Sequence, residues 1–321
     1  MQNSGWSRRE FLIKASGVAG IAAITQVSFG ASEPGIKVRY SAGSESPHFK
    51  VPSNATDCHH HIYDSQYPAA LGATVFPPDA SVADYRMLQQ RLGISRHVIV
   101  QPSTYGTDNR LLVATLKTFG LKEARGIAVV GGDVTDAELK QLDAAGIRGV
   151  RFNVAQKGAG TTWEMMVPMA KRIEPLGWHI QLQSEGMDAF AHKTILQNLP
   201  CQIVFDHLAH VPEPEGIKSP VFGMVVDLLQ KNKAWVKISS IYDQTNVGPP
   251  TYADAVMVAH EYVKAAPSRL VWATNWPHPQ MKQDEKPDDA HLLDLLATKI
   301  APEEETRDRL LVENPAKLYR F

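Results

Sequence analysis

From residue 57 onward the chain repeats one pattern eight times: a short apolar run, then a stretch whose apolar residues recur every three or four positions. The runs fall at 58–62, 97–102, 126–130, 148–154, 178–183, 202–206, 235–239 and 270–274. The helical stretches fall at 82–92, 109–119, 135–144, 162–174, 187–197, 220–231, 252–265 and 288–299. Strands that alternate with helices pair in parallel, because each helix carries the chain back over the sheet in a right-handed crossover. Eight such units in about 265 residues predict an α/β fold of the (β/α)8 TIM-barrel type. A doubly wound open sheet is the competing architecture, and the absence of a Gly-rich phosphate loop after any run weakens it.

Charge excludes some partners. The 33 basic and 34 acidic side chains leave a net charge of −1, so neither nucleic acid nor an anionic membrane is expected as a partner. Any attraction for anions must come from a local cluster. Cys58 and Cys201 are too few for a disulfide framework and lack the paired spacing of a zinc ribbon.

Residues 1–32 read as a twin-arginine signal peptide. Ser7-Arg8-Arg9-Glu10-Phe11-Leu12-Ile13-Lys14 has the form of the signal, and a mildly apolar stretch from Ala15 to Phe29 follows, too short to span a membrane. Small residues around Gly30 offer cleavage sites, so the mature protein is expected in the periplasm and off the membrane. Residues 33–54, rich in Ser, Pro and Gly, read as a linker, and 55–321 as the barrel.

A barrel carries its chemistry at the C-terminal ends of its strands. In Asp57-Cys58-His59-His60-His61, alternation points His59 and His61 to one face and His60 to the other. The remaining ends supply Ser103 and Tyr105, Arg151 with Lys157, Gln183, Asp206-His207, Ser239 to Tyr242, and Thr274-Asn275-Trp276-Pro277-His278. Imidazoles, cations and amides dominate this set and favour an anionic substrate. Arg151 suits bidentate carboxylate recognition, and Lys157 adds a point charge. A hydrolytic metal site normally uses a carboxylate, and strand 8 offers none, so no metal or other cofactor is expected; a divalent ion such as zinc is the less favoured case.

In the order and spacing of Asp57–His61, Val100–Asn109, Gly149–Asn153, Asp206-His207, Trp276–Pro279 and Glu313–Tyr319, the chain resembles the amidohydrolase superfamily. The similarity is to the branch of 2-pyrone-4,6-dicarboxylate lactonase and galactarolactone isomerase. It implies an amidohydrolase-like barrel that needs no metal and acts on a small lactone bearing a carboxylate. It implies that His59, His61 and His207 polarise the lactone carbonyl. Arg151 and Lys157 would hold the carboxylate, with Ser103, Tyr105, Gln183 and His278 completing the substrate site. Lactonases of the branch carry Asp where this chain has Asn275, and an amide cannot deprotonate water near neutral pH. The expectation is therefore lactone isomerisation, in which a tethered substrate hydroxyl attacks and Asn275 orients it; a hydroxyl held this way can have an effective molarity of about 10^5 M or more. The alternatives are hydrolysis with His278 or His207 as base, metal-dependent hydrolysis or decarboxylation, and a binding protein for an organic acid.

Overall fold

The computed structural model describes residues 35–156 and 159–321. The expected signal peptide and Lys157 lie outside the described residues. Strands β1 (Thr56–His60), β2 (Arg96–Val100), β3 (Ala124–Ala128), β4 (Ile147–Asn153), β5 (His179–Gln183), β6 (Ile203–Phe205), β7 (Ala234–Ile238) and β8 (Leu270–Trp272) lie in sequence order in one sheet. Every neighbouring pair is parallel. The sheet closes beyond the strand ends: His61 N donates to Trp276 O at 2.8 Å and Asn275 N to His59 O at 2.8 Å. The (β/α)8 barrel expected from the repeat is the fold.

The helices are α1 (Val82–Leu92), α2 (Arg110–Phe119), α3 (Asp136–Ala144), α4 (Trp163–Ile173), α5 (Gly186–Ala191), α6 (Lys193–Asn198), α7 (Pro220–Gln230), α8 (Ala253–Ala265), α9 (Asp289–Leu295), α10 (Glu304–Asp308) and α11 (Asn314–Tyr319). Capping boxes start α1, through Ser81 and Asp84, and α3, through Thr135 and Glu138. The stretch 187–197 divides into α5 and α6 at His192, whose ring stacks on Trp163 at 4.0 Å.

Two cores result. A large one lies between strands and helices, and a small one fills the barrel with Cys58, Val98, Val100, Ile127, Val204, Trp235 and Val271. Tyr319 and Leu318 of α11 join the inner core, and Arg125 donates to Tyr319 O at 3.2 Å. Polar chemistry is left to the opposite end.

The segment expected as a linker packs on the barrel from residue 35. Val38 and Tyr40 are buried, Trp276 Nε1 donates to Arg39 O at 2.8 Å, and the buried Arg91 donates to the carbonyls of Ala42 and Glu45. Gly43, at φ +69°, lets the chain pass Asp288, whose carboxylate a Cβ would meet at 2.1 Å. The partners are backbone carbonyls and distant side chains, which Ser-, Pro- and Gly-rich composition does not reveal.

Candidate active site

A cleft of about 420 Å³ opens at the C-terminal ends of the strands, within the size range of small-molecule sites. Its lining includes His61, Ser103, Arg151, Gln183, His207, Asn275 and His278. Seven of the ten residues expected at the site are thus brought together. Tyr105 stands behind the lining, its hydroxyl tied to the backbone of Asp64. His59 is fully buried beneath the cleft. Sequence alternation correctly aims it at His61, but it has no open face.

The rim is built from strained backbone. His207, Leu208, Ala209 and His210 have φ of +48°, +55°, +59° and +45°, a left-handed turn without a glycine. Ser240, Asn275 and His278 are also left-handed, at +49°, +63° and +55°. Each such residue costs roughly 1–2 kcal/mol, a cost typical of functional sites. The turn is held by Ala209 N donating to Asp206 O at 2.9 Å and by a 2.8 Å contact between His207 Nδ1 and Ser239 Oγ. It fits only because Gly186 has no side chain: a Cβ there would lie 2.2 Å from His210 O.

Below the cleft a hydrogen bond fixes the tautomer of His61. Val100 O can only accept, so His61 carries its proton on Nδ1, 2.7 Å away. Neutral His61 then presents a lone pair on Nε2 toward His59 Nε2, 3.2 Å away. His59 Nδ1 lies 3.2 Å from both Lys237 Nζ and Asp206 Oδ1. Burial pushes His61 down to about 3, with Arg151 adding to the effect, and holds His59 and His207 well below the usual histidine range. All three imidazoles are neutral at physiological pH.

Lys237 is the residue that sequence reading passed over. It is fully buried in β7, donates to Gln181 Oε1 at 2.6 Å and lies 3.4 Å from Asp206 Oδ1. Burial lowers its pKa to about 8, against the pull of Asp206, so it remains an ammonium at neutral pH. Burial works to protonate Asp206, but the His59 ring, Lys237 and Arg151 outweigh it and hold the carboxyl well below its usual range. A lysine inside the apolar run Ala234–Ile238 was the available signal.

His59, Asp206 and His207 place ligand atoms within 4.8 Å of one another and could hold a metal. The Lys237 ammonium stands beside two of those groups. An ion bonded to both His59 Nδ1 and Asp206 Oδ1 would lie within roughly 4 Å of the Lys237 ammonium. At an effective dielectric constant near 20, that repulsion of a dication is about 8 kcal/mol.

Arg151 reaches the cleft from β4, 6 % of its side chain exposed. Nε approaches Asp206 Oδ2 and Nη1 approaches Gln101 O, both at 3.4 Å, which leaves three guanidinium protons for a ligand. Ser103 Oγ accepts from Asn153 at 2.7 Å and keeps its own proton to give. Gln183 is tied to His210 at 2.8 Å. Glu185 and Asp243 also line the cleft, exposed at its mouth, so the positive character belongs to the buried floor.

On the opposite wall His278 lies between Tyr242 Oη, 2.6 Å from Nδ1, and Asp289 Oδ2, 3.2 Å from Nε2. Asn275 Nδ2 donates to Tyr242 Oη at 3.2 Å. Asp57 ties the start of β1 to the segment after β8 by accepting from Thr274 N, Thr274 Oγ1, His59 N and Tyr85 Oη. Burial raises it to about 6.

Residues 56–321 match the amidohydrolase family model. The chain is 36% identical to a 2-pyrone-4,6-dicarboxylate hydrolase of Comamonas testosteroni, over 87% of this chain and 94% of that protein. It is 32% identical to a D-galactarolactone isomerase of Agrobacterium fabrum, over 88% and 97%. A ligand-free crystal structure from Agrobacterium tumefaciens superposes with a TM-score of 0.81 at 29% identity, covering 88% of this chain and 99% of that one. The strand-end histidines, the closed eight-stranded barrel and these full-length similarities together make the chain a member of the amidohydrolase family.

Proposed function

We propose that the protein isomerises a carboxylate-bearing lactone of a sugar diacid or related dicarboxylate, without a metal. The observation that carries this reading is Asn275. It occupies the cleft wall where a carboxylate base would serve hydrolysis, and its amide is held by Tyr242 in position to orient a substrate hydroxyl. Arg151, on the cationic floor, binds the free carboxylate through its remaining N–H groups. His207 polarises the carbonyl from Nε2 when Ser239 donates to Nδ1. His61 gives its one proton to Val100 O and His59 is buried beneath it, so both serve as positioning residues of the floor, and Lys237 supplies the fixed charge in place of an ion. The isomerase relative supports the choice of reaction.

Hydrolysis is the second reading, favoured by the hydrolase relative at 36% identity. Proton NMR of purified protein with D-galactaro-1,5-lactone separates the two. The expected product is the 1,4-lactone, formed faster than in buffer; free diacid alone would overturn isomerisation in favour of hydrolysis. Elemental analysis of the same sample should find no stoichiometric zinc, and loss of activity in chelator would overturn the metal-free reading.

Export to the periplasm through the twin-arginine pathway is part of the proposal and rests on Ser7–Lys14. Replacing Arg8 and Arg9 by Lys should keep the full-length precursor in the cytoplasmic fraction on immunoblots.

A further inference from the structure

We propose that Tyr242, His278 and Asp289 form a proton relay that supplies the base Asn275 cannot. The inference rests on the lactone reading for its substrate and on its own geometry for the relay.

The hydrogen-bond directions are constrained. Asp289 Oδ2 lies 3.2 Å from His278 Nε2, and both side chains are fully buried. A carboxylate only accepts, so Nε2 carries the proton and Nδ1 is left with a lone pair. Tyr242 Oη, 2.6 Å away, therefore donates to Nδ1. The Asn275 amide donates to one lone pair of the same phenolic oxygen at 3.2 Å. The other lone pair, which Ser240 Oγ approaches at 3.3 Å, is the one that receives the substrate hydroxyl. An aspartate at 275 would compete for the phenol proton; the amide cannot.

Tyr242 lines the cleft beside Asn275 and His278. Asp289 Oδ1 has no hydrogen-bond partner among the described residues, so the carboxylate's protein contact is directed to His278 through Oδ2. The carboxylate can stabilise an imidazolium. This is the arrangement of a base oriented by a third group.

The step balances. The substrate hydroxyl oxygen forms a bond to the carbonyl carbon, and the carbonyl π pair moves onto its oxygen. The hydroxyl proton passes to Tyr242 Oη as the Tyr242 proton passes to His278 Nδ1. The oxyanion pair then re-forms the carbonyl as the old ring C–O bond breaks, and the electron pair of that bond stays on the departing oxygen. The proton returns from His278 through Tyr242 to that oxygen, so isomerisation needs no net proton. A water molecule in place of the hydroxyl gives hydrolysis by the same transfers.

Two measurements test this. Imidazole nitrogen NMR of the substrate-free protein labelled with 15N-histidine, with His278 assigned from a His278→Gln variant, should show the proton on Nε2 and a hydrogen-bonded lone pair on Nδ1. A proton on Nδ1 would overturn the relay whatever the substrate. In turnover, Tyr242→Phe should lower kcat about 100-fold or more and leave KM within about threefold, since it removes a proton path and not a binding contact. Asp289→Asn should lower kcat by a similar factor and move the His278 proton to Nδ1, as the new amide donates to Nε2. Adding Asn275→Asp to Tyr242→Phe should restore hydrolysis through a direct carboxylate base. Full turnover in Tyr242→Phe, or no gain from the added carboxylate, would overturn the relay. The Nε2–H tautomer in a protein that transforms no lactone would uphold the relay and overturn the lactone reading.

Discussion

A buried lysine does the most to set the character of the site. Lys237 Nζ stands 3.2 Å from His59 Nδ1 and 3.4 Å from Asp206 Oδ1, and His59 in turn lies 3.2 Å from His61. Removing the ammonium with Lys237→Met would leave the buried Asp206 with Arg151 as its one remaining cation among those at 3.4 Å. Loss of one partner from such a pair typically costs about 3–5 kcal/mol, which urea denaturation would register as a lower midpoint. An unchanged midpoint would mean that the carboxyl is neutral in the folded protein. The His59–His61 pair was legible from alternation alone, because side-chain direction in a strand has a period of two. The depth of His59 was not, since it depends on how far below the rim each strand ends. Lys237 was hidden by its own strand, where four apolar neighbours mask one inward charge.

Among the elements, the left-handed turn 207–210 places two histidines on the rim and depends on α5 for room. Gly186 opens α5 directly against His210 O. Gly186→Ala would force the turn or the helix to move, at a cost of about 1–3 kcal/mol, because the obstacle is backbone and cannot rotate away. We expect a lower urea midpoint together with reduced turnover from the displaced His207. A stable variant with full activity would show that the turn yields freely. The eight strands were legible to within two residues, while the division of 187–197 into α5 and α6 and the closing helices α10 and α11 were not. Periodicity and capping signals are local, and the strain in this turn is not.

At the scale of the molecule, the barrel buries His59, His60, His61, His97, His179 and His207, and burial lowers the pKa of each, to about 3 for His61, His97 and His179. The unfolded chain binds protons at these rings near pH 6.5 and the folded chain does not. Stability is therefore fully present above that pH and falls as pH drops from about 6.5 toward 3. Asp57 opposes the trend: its folded pKa, raised to about 6, makes the native state the better proton binder between the ordinary carboxylate range and pH 6. Asp243, raised to about 7, opposes the trend as well; the six imidazoles outnumber both, so unfolding near pH 5 should take up about four protons, roughly 5 kcal/mol per pH unit. Urea midpoints measured from pH 7 to 5 should fall steeply. A flat profile would mean that these rings are solvated in the native protein.

The sequence by itself determined the eight-unit barrel, the end of it that carries chemistry, and most of the residues gathered there. Those follow from periodicity and from the fixed polarity of parallel strands. Only the tertiary structure decided that His59 lies under the cleft, that an ammonium stands among the groups a metal would use, and that residues 35–54 pack on the barrel. It also decided that Tyr242, His278 and Asp289 meet beside Asn275. Each of these is a distance between residues far apart in the chain or facing each other across a bend, and local pattern carries no information about such distances.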